Sequence, residues 1–93
     1  MEVISERSWA WMLFHEAGRY FLSVLCGTVG LYGVEIELNE QEIDGFKTSG
    51  DDFVSALASK ITYDSTQYCD RHIPDFADRP EVKAATHAWR STH

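Results

Sequence analysis

Cysteine and long apolar runs are scarce in this chain. Cys26 and Cys69 are its two cysteines, and a small secreted scaffold normally carries more, so a disulfide framework is not expected. The chain does not open with a basic segment followed by an apolar run, and therefore no secretory signal is predicted. The longest mostly apolar stretch, Trp9 to Phe14, is too short to span a bilayer. These absences favour a cytoplasmic location and argue against insertion into a membrane.

Basic residues are outnumbered by acidic ones. Eight Lys and Arg side chains stand against 15 Asp and Glu, which gives a formal net charge of −7 over 93 residues. An acidic surface repels phosphate backbones, so direct binding of nucleic acid is disfavoured, whereas a basic protein would be attracted. Solubility alone is the simpler interpretation of this charge. The length and an ordinary hydrophobic content of 44% predict one globular domain over residues 1–93.

The N-terminal part of the chain predicts an apolar β-hairpin. Residues Ile4 to Phe14 have the composition of a first strand, residues 15–18 of a turn, and Arg19 to Cys26 of a second strand. If His15 pairs with Arg19, the even-numbered residues of both strands share one face. Both faces of this hairpin are then largely apolar.

A third strand and a capped helix follow. From Tyr32 to Leu38, apolar residues alternate with Glu35 and Glu37, which predicts a strand with one face toward water. Asn39 and Glu42 have the spacing of a capping box, so a helix is expected over 40–47.

Two further helices are predicted beyond this point. One begins at Ser49 and carries an apolar stripe at helical spacing, comprising Phe53, Val54, Leu57, Ala58 and Ile61. The other follows Pro80 and runs over 81–90. The apolar residues over 62–79 have neither helical nor strand spacing, so this segment is compatible with a loop or with a short strand over 68–73. The fold class is therefore α+β: a three-stranded antiparallel meander, two helices packing on one of its faces, and a C-terminal helix.

The sequence contains no convincing catalytic, cofactor or metal motif. His15-Glu16 lacks the second histidine of the zinc-protease pattern, because Arg19 stands where that histidine would be. Cys69 and His72 form one loose pair, whereas a structural zinc site needs four ligands. No enzyme activity, cofactor or metal ion is predicted. A small enzyme or metal-binding domain that uses the Cys69–His72 segment is the alternative, because such groups can meet in space.

One stretch resembles a known class of proteins. The strand Tyr20 to Cys26, a glycine-containing loop, and Val34 to Leu38 leading into residues 39–42 are similar to small bacterial immunity proteins of polymorphic or contact-dependent toxin systems. The resemblance covers about residues 9–62. It implies a small acidic α+β protein that binds and blocks a cognate toxin domain.

These observations predict a non-catalytic protein-binding module whose partner is a basic toxin domain. The chain has three Trp, four Tyr and five Phe residues, a surplus of aromatics for its length. This surplus and the hairpin that is apolar on both faces favour a docking surface, because large exposed apolar patches mark interaction sites. A homodimer that buries the same hairpin face is an alternative. The candidate contact residues are Trp9, Trp11, Phe21, Glu35, Glu37 and Tyr68.

Overall fold

The sheet has four strands in sequence order. The computed structural model describes residues 1–7, 10–26 and 32–92, apart from the side chains of residues 32, 65, 66, 69 and 92. Over these residues the strands are antiparallel and comprise β1 (Glu2–Arg7), β2 (Trp11–Glu16), β3 (Arg19–Cys26) and β4 (Tyr32–Glu37). The predicted α+β class with an antiparallel meander is confirmed, but the expected count of three strands is wrong.

The additional strand comes from the segment predicted as a single first strand. Between β1 and β2 the chain turns back, and the Ala10 amide donates a hydrogen bond to the Arg7 carbonyl at 2.9 Å. The polar residues at the end of β1 interrupt the apolar run, and folding back lets both halves pair, with Val3 opposite Phe14. Folding back in this way gives the backbone groups of both halves a strand partner.

The hairpin between β2 and β3 has a tighter turn than expected. Ala17 and Gly18 form a two-residue turn in which both φ angles are positive, at 50° and 79°, as a type I′ turn requires. His15 consequently pairs with Tyr20, and not with Arg19. Because side chains alternate along a strand, this shift of one residue exchanges which residues of the two strands share a face.

In the described part of the chain, three α-helices and two 3₁₀ helices follow the sheet. The α-helices are α1 (Glu40–Ser49), α2 (Asp51–Tyr63) and α3 (Pro80–Thr92), and the 3₁₀ helices are Ser65–Arg71 and Phe76–Asp78. The predicted capping box is confirmed: the Glu42 amide donates to Asn39 Oδ1 and the Asn39 amide donates to Glu42 Oε1, each at 2.9 Å. The predicted apolar stripe on the second helix is also present, although residues 68–73 form no strand.

The sheet is covered on both faces. One face packs against α1 and α2, and its buried residues are Trp11, Leu13, Leu22, Val24, Cys26, Val34, Ile36, Leu38, Val54, Leu57, Ala58 and Ile61. The other face packs against α3 and the second 3₁₀ helix through Val3, Met12, Phe14, Phe21, Phe76, Val82 and Ala85.

Both predicted apolar faces of the hairpin therefore lie in the core of a single chain. The C-terminal helix provides the second covering layer that the sequence pattern left open. Within the described part of the chain, no helix is both long and apolar enough to cross a membrane.

Candidate functional site

The outer edge of β4 is covered by residues 71–73, which we call the strap. Arg71 Nη2 donates to the Glu37 carbonyl at 2.8 Å, and the Ile73 amide donates to the Glu35 carbonyl at 2.7 Å. The Glu35 amide donates in turn to Nδ1 of His72 at 3.2 Å. These bonds occupy backbone groups that an edge strand otherwise offers to another chain.

An ion pair fixes the strap to α1. Arg71 donates to both carboxylate oxygens of Glu42, at 2.6 and 3.0 Å. Burial of Glu42 opposes its ionisation, but the hydrogen bonds from Arg71 and from the Asn39 backbone outweigh it and lower the pKa of the carboxyl. Glu42 therefore caps α1 and anchors the strap at the same time.

Glu35 lies beneath the strap and is only 8% exposed. The prediction that this residue faces water is wrong, because the strap runs along this edge of β4 and brings His72 next to Glu35. Its Oε2 atom has no hydrogen-bond partner. Burial raises the pKa of the Glu35 carboxyl, and the neighbouring His72 opposes this only in part.

Gly33 provides the space for this carboxylate. A Cβ atom at Gly33 would lie 2.8 Å from Glu35 Oε2, closer than real Cβ contacts come. The lack of a side chain at Gly33 therefore makes room for the buried carboxylate of Glu35, two residues further along β4.

Glu37 has a different environment on the same face of the strand. Arg19 donates to its two carboxylate oxygens at 2.8 and 3.0 Å, and this hydrogen bonding lowers the pKa of Glu37. The Arg19 guanidinium also lies over the ring of Phe21, 5.2 Å from its centroid. Phe21 and Glu37 are thus brought together, but Phe21 is 4% exposed and belongs to the core.

The other aromatic candidates are not collected at one surface. Trp11 is 4% exposed and donates from Nε1 to Ser55 Oγ at 3.2 Å, on the face of the sheet opposite to Phe21. Tyr68 is half-buried, with the Arg71 guanidinium 6.0 Å from its ring centroid. Trp9 lies outside the described residues. The predicted contact residues that are described therefore lie mostly in the core or in ion pairs.

The proposed thiol–imidazole segment is described only in part. The side chain of Cys69 lies outside the description, and Nδ1 of His72 is engaged as an acceptor by the Glu35 amide. Cys26 is buried, and burial raises the pKa of its thiol. Among the described residues, no group of three or more His, Cys, Asp or Glu side chains is placed to hold a metal ion.

An open cleft of about 900 Å³ lies between the sheet and α3. Its floor is formed by β2, β3 and β4, including Met12, Leu25 and Gly33, and its wall by α3 and the second 3₁₀ helix. Sequence reasoning missed this cleft. The available signal was on α3, where Lys83, Thr86, His87 and Arg90 recur at helical spacing and line the cleft beside buried Val82.

The exposed charges are segregated along the chain. Residues 39–81 carry eight exposed carboxylates and three exposed bases, an excess of five negative charges. Residues 1–38 and 82–93 together carry two exposed carboxylates and four exposed bases. The negative charge of this protein therefore belongs mainly to α1, α2 and the 3₁₀ segment, whereas the cleft has basic residues along its wall.

No protein-family model matches the sequence, and comparisons with curated proteins and with solved structures return no match.

Proposed function

We propose that this chain is a non-catalytic protein-binding module, and that it acts as an immunity protein by blocking a basic toxin domain. The resemblance of residues 9–62 to small bacterial immunity proteins supports the class of function. The excess of exposed carboxylates over residues 39–81 supports the sign of the partner's charge. That excess is the observation on which the proposal depends.

We propose α1 and the start of α2 as the docking surface. Glu40 and Asp44 are exposed and lie one helical turn apart on α1, while Asp51 and Asp52 are exposed at the first turn of α2. Carboxylates grouped in this way raise the association rate with a basic partner, since the attraction acts over about 8 Å at physiological salt. We therefore propose that these four carboxylates, and not those of Glu35 and Glu37, attract the basic partner.

The test uses the protein encoded next to this chain in its source organism. The two chains are produced separately, and their association rate and affinity are measured at about 50 and about 300 mM salt. We expect binding whose association rate falls with salt, and we expect this chain to protect cells that produce the neighbouring protein.

Two charge-reversal variants locate the surface. Asp44→Lys/Asp52→Lys should slow association by about tenfold or more. Glu2→Lys/Glu16→Lys, which has the same net charge but alters the β-hairpin end, should retain the rate to within about threefold. Equal losses in the two variants, or a neighbouring protein that neither binds nor is inhibited, would contradict the proposal.

A further inference from the structure

We propose that the cleft beneath α3 binds a small amphipathic carboxylate, with its apolar body on the sheet and its carboxylate at the basic wall of the helix. This binding is independent of the protein-binding function, because the cleft is formed by the β-strands, α3 and the second 3₁₀ helix. The surface proposed for a protein partner is formed by α1 and α2.

The cleft is large enough for a small molecule. Ligand sites in proteins occupy about 300–1,000 Å³. The cleft has a volume of about 900 Å³ within a chain of 93 residues. A space of this size is sufficient for a chain or ring system of small-molecule dimensions.

The floor of the cleft suits an apolar body. Leu25 contributes a partly exposed apolar side chain from β3, and the largely buried side chains of Met12, Phe14 and Val82 present only their edges to the cleft. Gly33 exposes backbone at the β4 end, where an added Cβ would displace the Glu35 carboxylate. Transfer of an aliphatic or aromatic group from water to this floor is favourable by about 25 cal/mol per Å² of buried apolar area.

The wall supplies the positive charge. Lys83 lines the cleft, and its ammonium forms no ion pair with any described residue. Arg90 lies seven residues further along the same side of α3, and its contact with Glu6 is long, at 3.9 Å. Glu6 already accepts a hydrogen bond from Trp89 Nε1 at 2.9 Å, so this carboxylate is shared. The cleft therefore offers more positive than negative charge to a ligand.

Glu35 fixes the orientation of the ligand. Glu35 is not itself a lining residue of the cleft, but its Oε2 atom lies against Gly33, which forms the β4 end of the floor. A ligand carboxylate at that end would experience like-charge repulsion from the poorly solvated Glu35 carboxylate. The ligand's carboxylate is therefore placed at Lys83 and Arg90, and its apolar end extends toward Gly33.

The test titrates the intact chain with decanoate and follows the backbone amides by NMR. Acetate and decylamine serve as ligand controls, since one lacks the apolar chain and the other reverses the charge. We expect decanoate to shift the amides of Ser23, Leu25, Gly33 and Thr86, with acetate inactive and decylamine at least about tenfold weaker.

A pair of variants separates the site from general charge effects. Lys83→Glu should weaken decanoate binding by about three- to tenfold, the range expected for a partly solvated ion pair that is reversed. Lys47→Glu, an exposed lysine on α1 with the same change in net charge, should leave it unchanged. Absence of decanoate binding, equal binding of decylamine, shifts confined to α1 and α2, or equal losses in both variants would each overturn the proposal. None of these results bears on the protein-binding function, which is measured with the neighbouring protein.

Discussion

Replacing Glu35 with methionine should stabilise this protein at neutral pH. The side chain is 8% exposed and its Oε2 atom has no hydrogen-bond partner, so the wild-type fold holds a poorly solvated charge. A buried polar group left without a partner costs about 1–3 kcal/mol. Methionine has a similar length and no charge, and we therefore expect the free energy of unfolding to rise by about this amount.

The gain should depend on pH in a defined direction. Because burial raises the pKa of Glu35, the folded state favours the protonated carboxyl. The stability that the fold gains from the protonated Glu35 carboxyl is fully present at pH values below the pKa of this carboxyl in the unfolded chain. It is lost as the pH rises through the higher pKa of the folded state. The advantage of Glu35→Met should therefore be small at about pH 4 and largest at about pH 7.5.

Glu37→Met provides the matched control on the same strand and face. Arg19 lowers the pKa of Glu37, so the ionised carboxylate contributes stability above its unfolded pKa that is lost as the pH falls through the lower folded value. This pair is largely solvated, so its removal should lower stability only slightly at neutral pH. The two variants should thus change stability with opposite sign and opposite pH dependence.

Urea denaturation followed by circular dichroism at several pH values measures both variants. A Glu35→Met protein that is less stable than wild type at neutral pH would refute the reasoning. So would a gain that stays constant between about pH 4 and about pH 7.5, because an unpartnered charge would then not be its cause.

Three further variants test local features by the same denaturation assay. Ala17→Gly should raise stability by about 1 kcal/mol, because Ala17 holds a φ of 50° and glycine removes the strain of its Cβ. Gly45→Ala should lower stability by about 1–3 kcal/mol despite its better helix propensity, because the new Cβ would press against the ring of Phe53; in a Phe53→Ala background the same change should instead be stabilising. Arg71→Met should cost about 1–3 kcal/mol at neutral pH, because Glu42 would keep only its hydrogen bond from the Asn39 amide, and this loss should shrink as the pH falls, since Arg71 keeps the Glu42 pKa low.

Sequence patterns correctly predicted those parts of the fold that are determined by residues close together in the chain. The capping box at Asn39 and Glu42 was predictable because both partners are three residues apart and their hydrogen bonds define the start of α1. The apolar stripe of α2 was predictable for a similar reason, since one helix face determines which residues are buried. The alternation of Val34 and Ile36 with glutamates correctly gave the two faces of β4.

The errors concern features that depend on distant contacts or on a single residue of register. The exact turn at Ala17 and Gly18 decides which residues of β2 and β3 share a face, and a composition-based strand prediction does not fix it. The burial of Glu35 depends on a strap 36–38 residues later in the chain. The alternation of apolar and acidic residues along β4 therefore led to the wrong prediction that the Glu35 carboxylate is exposed to water.

The candidate sites illustrate the same limit. Aromatic surplus indicated an interaction surface, yet Trp11 and Phe21 are used to fill the two faces of the core. The cleft could not be predicted because its floor comes from three strands and its wall from a helix about 50 residues away. Its charge could be inferred only after the fold placed Lys83 over the apolar floor.

Glu35 connects stability with the proposed ligand site. A buried carboxylate without a partner is unfavourable for folding, and such groups are often retained where function requires them. On the orientation proposed above, Glu35 repels a ligand carboxylate from the β4 end of the cleft. Glu35→Met should consequently be more stable than wild type and bind decanoate at least as tightly, while discriminating less between decanoate and a decane chain with a carboxylate at both ends. A variant that gained stability but kept the full discrimination would assign Glu35 no part in ligand orientation.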